Sequence, residues 1–558
     1  MQLKLKKNML FFCSLWLLII CSASKIGAQT TPNVTVVFVI DQFAYHYLWK
    51  VRPFFKYGLK KLFNKGTMYH DATYPHAMPS TPTGHAALST GTFGYVHGVT
   101  GYGWINENNE YTLITDDNRP ESLVFAKSGF HNFGQSARQL MTDTICDQFS
   151  LTNEPSKEAH AYAFSLKPRS SIMLAGRKGK AVWFDEIDGG MTSSKAYFNS
   201  IPGWLKNVNR QHRPKHNAQY RWNPFHNRKS KAYNFCAATN YDFAAPQKSA
   251  IGTKLTIDVN AKEPYKKFVA TPFADQLVLK AAKKCINHHI NVNEHRHAKL
   301  LVFVSLSGFD FSGHLYGPDS IEQIDMLYHL DKQINKFINY VQTCVGAQKA
   351  LFAITADHGI MPIPEILNSK GFALPERIDV NELTKELNNI AQHEFNVKNI
   401  IKYFEAPMFF LDKKELKSLD EKQQQELLER LKITIKKTDG IRDCWTLKDL
   451  EMTETSIRNK YQVLFSKQVY KGRTGDLICM TQPYKMLTKY PTGTSHASPY
   501  RYDTHVPLAF YQSGAHDSGL EVQQPVSMVQ VAMSLARLMN CPAPSCARGP
   551  ILPGLYKF

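Results

Sequence analysis

Three apolar runs, each closing on polar residues, divide the chain: VTVVFVID up to Asp41, KLLVFVSLSGFD up to Asp310, and KALFAITADHG up to Gly359. None alternates between apolar and polar positions. Each is β-branched or otherwise apolar throughout, the pattern of strands buried on both faces of a largely parallel sheet. Between the second and third, SIEQIDMLYHLDKQINKFINYVQTC sets Ile321, Ile324, Leu327, Leu330, Ile334, Phe337, Ile338 and Val341 at helical spacing. A strand–helix–strand crossover follows, and with it an α/β core. Ligands of such sheets collect beyond the carboxyl ends of the strands, so the three acidic strand ends are expected to face one crevice.

The remaining pattern is less regular. Residues from about 165 to 270 are rich in Asn, Lys, Arg, His, Tyr and Trp without clear period, and are expected to form an inserted cap. DKKELKSLDEKQQQELLERLKITIKK (412–437) predicts a charged amphipathic helix at the periphery, and PVSMVQVAMSLARLMNC (525–541) a late core helix. The first 28 residues differ in kind. Lys4, Lys6 and Lys7 precede the apolar run Met9–Ile20, and small residues follow in CSASKIGAQ, which together read as a secretory signal peptide. Residues 29–558 then form one domain with its cap, exported to the periplasm or beyond, with no further span long enough for a bilayer.

Charge and cysteines sharpen this picture. Removing the leader takes away four lysines and no acid, so the net charge goes from +20 to +16. A chain this basic attracts anions such as phosphorylated substrates, nucleic acid or acidic membrane surfaces. KNVNRQHRPKHNAQYRWNPFHNRKSK (206–231) interleaves basic and aromatic residues as backbone-tracking sites do, but reads better as a solvated basic cap that draws in anionic substrate than as a nucleic-acid site. Eight cysteines lie beyond the leader. Cys541 and Cys546 are the expected bridge, and the absence of any Cys-x-x-Cys pair argues against a thiolate zinc site.

Candidate ligands gather at the predicted strand ends. Asp41 closes the first strand, DFSGH sets Asp310 and His314 four apart, TADHG joins Asp357 to His358, and GTSHASPYRYDTHVP offers His496 and His505. An Asp after a strand is ordinarily a helix cap. Three Asp and at least two His from converging ends instead suit a metal: Zn²⁺ first, with Mn²⁺ or Fe also compatible. Five or six such ligands can hold two ions for phosphoryl transfer. AMPSTPTGHAALSTG (77–91) supplies hydroxyl groups for such ions to activate. INHHINVNEHRHAK (286–299) also carries histidines but precedes a strand, on the side away from the crevice, and reads as a polar loop.

VIDQF, TPTGHAALSTGTFGYVHGVTGYGW, SLKPR, DFSGHLYGP, TADHG and GTSHASPYRYDTHVP occur in that order. Together they resemble the alkaline phosphatase superfamily in its type I phosphodiesterase/nucleotide pyrophosphatase-like branch, and within it the monomeric threonine-nucleophile alkaline phosphatases of bacteria. The resemblance implies a central mixed, mostly parallel sheet sandwiched by helices, and a monomer acting on a phosphorylated small molecule through two zinc ions. It places Asp310, His314 and His496 on one zinc and Asp41, Asp357 and His358 on the other, with Thr81 bridging both as nucleophile. His505 stands behind His496, with their exchange left open. Thr81 lies four residues before His85 as the family pattern requires, yet the proline of T-P-T-G-H is shifted by one place, so Ser80 and Thr83 remain rivals.

Lys167 and Arg169, two apart in SLKPR, match the pair that contacts non-bridging phosphate oxygens in the family's monoesterases. A point charge and a forked guanidinium suit a dianionic monoester. The main-chain N–H after Thr81 is expected to share that charge. One departure stands out: where the family has an Asn, TGYGW has Tyr102, which can donate but is bulkier. The expected reaction is double displacement through a phosphothreonine. A phosphodiesterase of the same branch is the alternative. A sulfatase is disfavoured because Gly84 stands where that family needs Arg, and a non-catalytic anion-binding protein would leave the ligand set unexplained.

Overall fold

The structure, a computed structural model, describes residues 31–152, 158–236, 249–291, 296–372, 375–451 and 459–555. The proposed leader 1–28 and His295 lie outside the described residues.

Two sheets organise the chain. In order, the strands that matter below are β1 (Val34–Ile40), β2 (Thr67–Thr73), the hairpin β3 (Gly103–Ile105) and β4 (Tyr111–Leu113), then β5 (Ala159–Ser165), β6 (Lys180–Phe184) and β7 (Met191–Thr192). They continue with β8 (Lys299–Leu306), β9 (Ala350–Thr355), β10 (Ile401–Glu405), β11 (Met408–Leu411), β12 (Ile441–Thr446) and β13 (Leu477–Thr481). The last are β14 (His505–Gln512), β15 (Glu521–Val522) and β16 (Val526–Ser527). The central sheet runs β15-β2-β14-β9-β1-β8-β5-β6-β7, with β16 beside β2. β9, β1, β8, β5 and β6 are mutually parallel, while β14 and β7 run against their neighbours, so the sheet is mixed and mostly parallel.

The helices that matter below are α1 (Thr81–Thr90), α2 (Pro168–Ala175), α3 (Pro272–His289), α4 (Gly308–Tyr316), α5 (Ile321–Val345), α6 (Val380–Phe395), α7 (Lys413–Lys417), α8 (Glu421–Lys437) and α9 (Gln530–Met539). β1 is buried at every position, which is why its sequence shows no alternation. α5 is the expected crossover from β8 to β9, stepping over β1 between them. It buries Ile324, Leu327, Leu330, Ile334, Phe337, Ile338 and Val341. Ser320 caps it by accepting from the Gln323 N–H. α9 is the expected late core helix, with Val531, Ala532, Leu535 and Leu538 buried.

Several expectations are corrected. The stretch assigned to a cap from 165 opens on the central sheet: β5 ends at Ser165, and α2, β6 and β7 follow as sheet and covering helix. These strands are short and their polar neighbours hid them. Much of the later stretch packs on the outer face of α5, where Trp222 Nε1 and the Phe225 N–H donate to Asp325 at 2.7 Å each. The single helix over 412–437 is two. Asp420 and Gln423 form a capping box that restarts the chain as α8. Nor is α8 peripheral: Leu427, Leu431 and Ile435 belong to a second apolar core with Leu387, Phe409, Leu411 and Leu477. That core covers the antiparallel sheet β10-β11-β13-β12, a second lobe that sequence reading did not separate. Cys541 and Cys546 are unbridged, as are the other cysteines among the described residues. Cys541 packs against the core near Cys146 instead.

Among the described residues no helix is long and apolar enough to cross a membrane.

Candidate active site

Strand register assembles the site. Ile40 pairs with Leu306, and Val39 with both Ser305 and Thr355, so β1, β8 and β9 end level with one another. Asp41 therefore leaves the sheet beside the start of α4 and beside Asp357. β5 is in register with β8 through Phe164 and Val304, which brings Lys167 to the same edge. Asp310 is not a strand terminus as expected: β8 stops at Leu306, and Asp310 sits in the first turn of α4. One helical turn separates it from His314, and their Oδ1 and Nε2 atoms lie 3.2 Å apart.

α1 brings in the hydroxyl. Ser80 is its N-cap, and Ser80 and Thr83 form a reciprocal capping box: the Ser80 N–H donates to Thr83 Oγ1 at 2.8 Å. Thr83 Oγ1 also donates to the Met78 carbonyl at 3.0 Å. Both rivals to Thr81 are thus engaged in starting the helix. Thr81 Oγ1 faces the cluster, 3.5 Å from His358 Nε2 and 3.3 Å from Lys167 Nζ. Residue 82 is a proline, so the N–H expected to follow Thr81 does not exist. α1 approaches β9 so closely that a Cβ at Gly84 would stand 2.0 Å from the Asp357 carbonyl oxygen.

Two groups of side chains here can share an ion: Asp310 with His314 and His496, and Asp41 with Asp310 and His358. Asp357 is adjacent, its Oδ2 at 3.6 Å from His358 Nε2. The His358 and His496 rings stack at 3.8 Å. His505 lies elsewhere, stacked on Tyr45 at 4.1 Å with Nε2 donating to the His70 carbonyl, so it is His496 that joins the cluster. Among the histidines of 286–299, His289 bonds the Tyr162 hydroxyl at 2.8 Å, away from the crevice.

The electrostatics favour a divalent cation. Three buried carboxyl groups, Asp41, Asp310 and Asp357, crowd around the single ammonium of Lys167, an excess of acid that a divalent cation would offset. Burial, reinforced by Asp310 and Asp357, pushes Asp41 well above the ordinary carboxylate range. Neither Asp41 oxygen accepts a directed hydrogen bond, although Oδ2 is 2.8 Å from Lys167 Nζ. Burial works against ionised Asp310 too, but Lys167 and His314 outweigh it and hold that carboxyl low. Burial, with the neighbouring His358 and His314, drives His496 well below its ordinary value and leaves it neutral, the form that ligates metal. Carboxylate and imidazole donors without thiolate suit a divalent metal of the zinc or manganese type.

Lys167 is buried and its ammonium sits between Asp41, Asp310 and Thr81. Burial disfavours its charge, yet Asp310 and Asp41 prevail and hold it protonated. Arg169, two residues on in the first turn of α2, places its guanidinium 5.0 Å over the Tyr102 ring. Its buried Nε has no hydrogen-bond partner. The Tyr102 phenol lies near Thr81, Lys167 and Arg169. Burial raises its pKa, so it remains a proton donor.

Two residues that sequence reasoning did not single out hold this arrangement. Gln42 adopts φ +71, a left-handed conformation. Its N–H donates to Asp357 Oδ1 at 3.1 Å and its Nε2 to Asp310 Oδ1 at 2.8 Å, tying two of the strand ends together. His85 appeared only as a spacing marker. Its Nδ1 lies 2.7 Å from the Thr81 carbonyl and 3.1 Å from Asp357 Oδ2, and its Nε2 lies 2.9 Å from Ser305 Oγ. Both oxygens at Nδ1 are acceptors, so the proton belongs there. The T-x-x-x-H spacing was the signal for His85; Gln42 had none beyond following Asp41.

The family model described as type I phosphodiesterase / nucleotide pyrophosphatase matches residues 35–507. The chain is 27% identical to alkaline phosphatase PafA of Elizabethkingia meningoseptica, over 96% of this chain and 97% of that protein. It is 26% identical to alkaline phosphatase PhoV of Synechococcus elongatus, over 94% and 93% respectively. The crystal structure of wild-type PafA shares the fold, with a TM-score of 0.80 at 24% identity over 94% of this chain and 99% of that one.

Proposed function

The chain belongs to the type I phosphodiesterase/nucleotide pyrophosphatase family, and from that premise we propose that it is an exported, metal-dependent phosphate monoester hydrolase that works through a phosphothreonine at Thr81. The observation that carries this is the convergence on Thr81 Oγ1 of a buried carboxylate–imidazole set on one side and of Lys167, Arg169 and Tyr102 on the other. The names of the relatives PafA and PhoV support the monoester reading, and the leader read at 1–28 supports export.

In this reading two zinc ions would be held, one on Asp310, His314 and His496, the other on Asp41, Asp357 and His358, which the clustering of these side chains supports. Bound there, they would offset the carboxylate charge and supply Lewis-acid stabilisation to the attacking and leaving oxygens. The chain's own groups do the rest. Thr81 Oγ, its proton released to solvent, attacks phosphorus in line; a P–O bond to Thr81 forms while the bond to the leaving alkoxide breaks, and that alkoxide takes a proton from water. The Lys167 ammonium, held protonated within 3.3 Å of Oγ1, favours the alkoxide over the alcohol. Arg169 and the Tyr102 phenol donate to non-bridging oxygens, the extra donors that a dianionic monoester rewards. Water then cleaves the phosphothreonine and releases phosphate.

The test is metal content measured together with kcat/KM for p-nitrophenyl phosphate and its methyl diester, on one purified sample. Two zinc ions per chain and a strong monoester preference are expected. A diester preference would hand the site to the phosphodiesterase alternative and give Tyr102 the role of reshaping the pocket. A sample that binds no metal and hydrolyses neither ester would overturn the enzyme reading.

A further inference from the structure

Tyr102 is held from the second lobe. Its N–H donates to Glu405 Oε1 at 2.6 Å, and Glu405 is the last residue of β10, 303 positions further along the chain. The other carboxylate oxygen, Oε2, accepts from the Tyr111 hydroxyl at 2.7 Å, and the Gly103 N–H lies against the same group. The approach depends on Gly101, where a Cβ would stand 2.3 Å from Glu405 Oε1.

The surrounding hairpin is docked the same way. Among the described residues β3 pairs only with β4 and has no ladder to the central sheet. Tyr403 packs on Tyr111 with ring centres 4.3 Å apart. Asn109 donates to Asp412 Oδ2 at 2.8 Å and accepts the Lys413 N–H at 3.1 Å. Arg473 covers Trp104 at 4.6 Å and donates to the Gly98 carbonyl at 2.9 Å. The second lobe thus fixes one face of the segment whose other face carries Tyr102 against Thr81 and Arg169.

We propose that Glu405 is a positioning residue through which the second lobe sets the site's preference for phosphate monoesters over diesters, by fixing where Tyr102 places its phenol. The proposal rests on the reading of Thr81 and Tyr102 given above. A monoester offers three terminal oxygens, so a third fixed donor beside Lys167 and Arg169 has an acceptor to meet. A diester offers two, and its second substituent must share the space that a fixed phenol ring fills. A buried carboxyl oxygen accepting at 2.6 Å locates a backbone N–H tightly, and small misplacements of a donor are costly in rate.

The experiment compares metal-loaded full-length wild type, Glu405→Ala, Glu405→Gln, Tyr102→Ala and the Glu405→Ala/Tyr102→Ala double variant on p-nitrophenyl phosphate and its methyl diester. Glu405→Ala is expected to lower monoester kcat/KM on the order of tenfold while diester kcat/KM stays within about threefold. Glu405→Gln, which keeps an acceptor for Tyr102 and a donor toward Tyr111, is expected to restore most of the ratio. In the Tyr102→Ala background, Glu405→Ala should have no further effect on the ratio. Equal losses on both esters, or effects that add in the double variant, overturn the proposal and leave Glu405 a merely structural residue. Should Glu405→Ala unfold, Tyr111→Phe removes one of the carboxylate's anchors and should shift the ratio in the same direction; no shift there also overturns it. A wild type that prefers diesters would defeat the monoester reading, and that result is read separately from additivity.

Discussion

Asp275 carries a pH-dependent cost that replacement by Asn should remove. The residue lies in the first turn of α3 and is fully buried. Oδ1 accepts the Gly308 N–H at 3.0 Å, where α4 begins, while Oδ2 has no partner. Burial pushes its pKa from 3.8 to about 7, with the Gly308 hydrogen bond and the more distant Lys167 only partly opposing it. The folded state then holds a proton that the unfolded chain releases between about pH 4 and pH 7. Stability from this group is complete below the unfolded value and is lost as pH rises through the folded one. At about 1.4 kcal/mol per tenfold, the full loss comes to about 4 kcal/mol, of which the α3 N-terminus offsets about 0.3–1 kcal/mol. Asn keeps the acceptor for Gly308 and has no charge to bury. Urea unfolding of wild type and Asp275→Asn across pH 5 to 8 should show the variant's relative stability growing by about 2–3 kcal/mol over that interval. A difference that does not change with pH, or an Asn variant less stable at pH 8, would mean that the carboxylate is ionised and satisfied, and the argument fails.

Three further outcomes are expected. Thr81→Ala should lose turnover on the order of 10³-fold or more while metal content measured by atomic emission stays at the wild-type level; full activity would move the nucleophile to Ser80 or Thr83, against their capping roles. Gly84→Ala should cost about 3 kcal/mol or more in thermal unfolding and weaken metal binding in titrations, because its methyl group collides with Asp357; wild-type values for both would sink this account. Ala497, beside His496, sits at φ +83, where an L side chain costs about 1–2 kcal/mol and Gly costs none. After the greater freedom of Gly in the unfolded chain, Ala497→Gly should be neutral to about 1 kcal/mol stabilising, and a clear fall in Tm would count against strain there.

Much of the carboxylate–imidazole edge was legible before the fold. Asp41, Asp310, His314, Asp357, His358 and His496 were all recoverable because each follows a run whose apolar continuity marks a buried strand or belongs to a string of family pattern. The choice among Ser80, Thr81 and Thr83 was not, since three neighbouring hydroxyls differ only in direction once α1 forms. Cap composition misled at residues 165–192, where strands of two to seven residues carry too little period to stand out. The second lobe was missed for the same reason, and its α8 looked solvated because only a narrow stripe of its surface is apolar.

What the sequence alone determined, then, is what periodicity and local chemistry encode: the buried strands, the α5 crossover, the late helix α9 and the residue types able to hold a divalent metal. Tertiary structure decided which of those groups meet. The parallel register of β8, β1 and β9 places Asp41, α4 and Asp357 at one edge, and a slip of one residue would turn each side chain to the opposite face. Gln42, His85 and Glu405 act through partners as many as 315 positions away, as in the Gln42 bond to Asp357. No local pattern marks such a residue, because a hydrogen bond between distant segments depends on where the fold puts its acceptor and leaves no period in the chain.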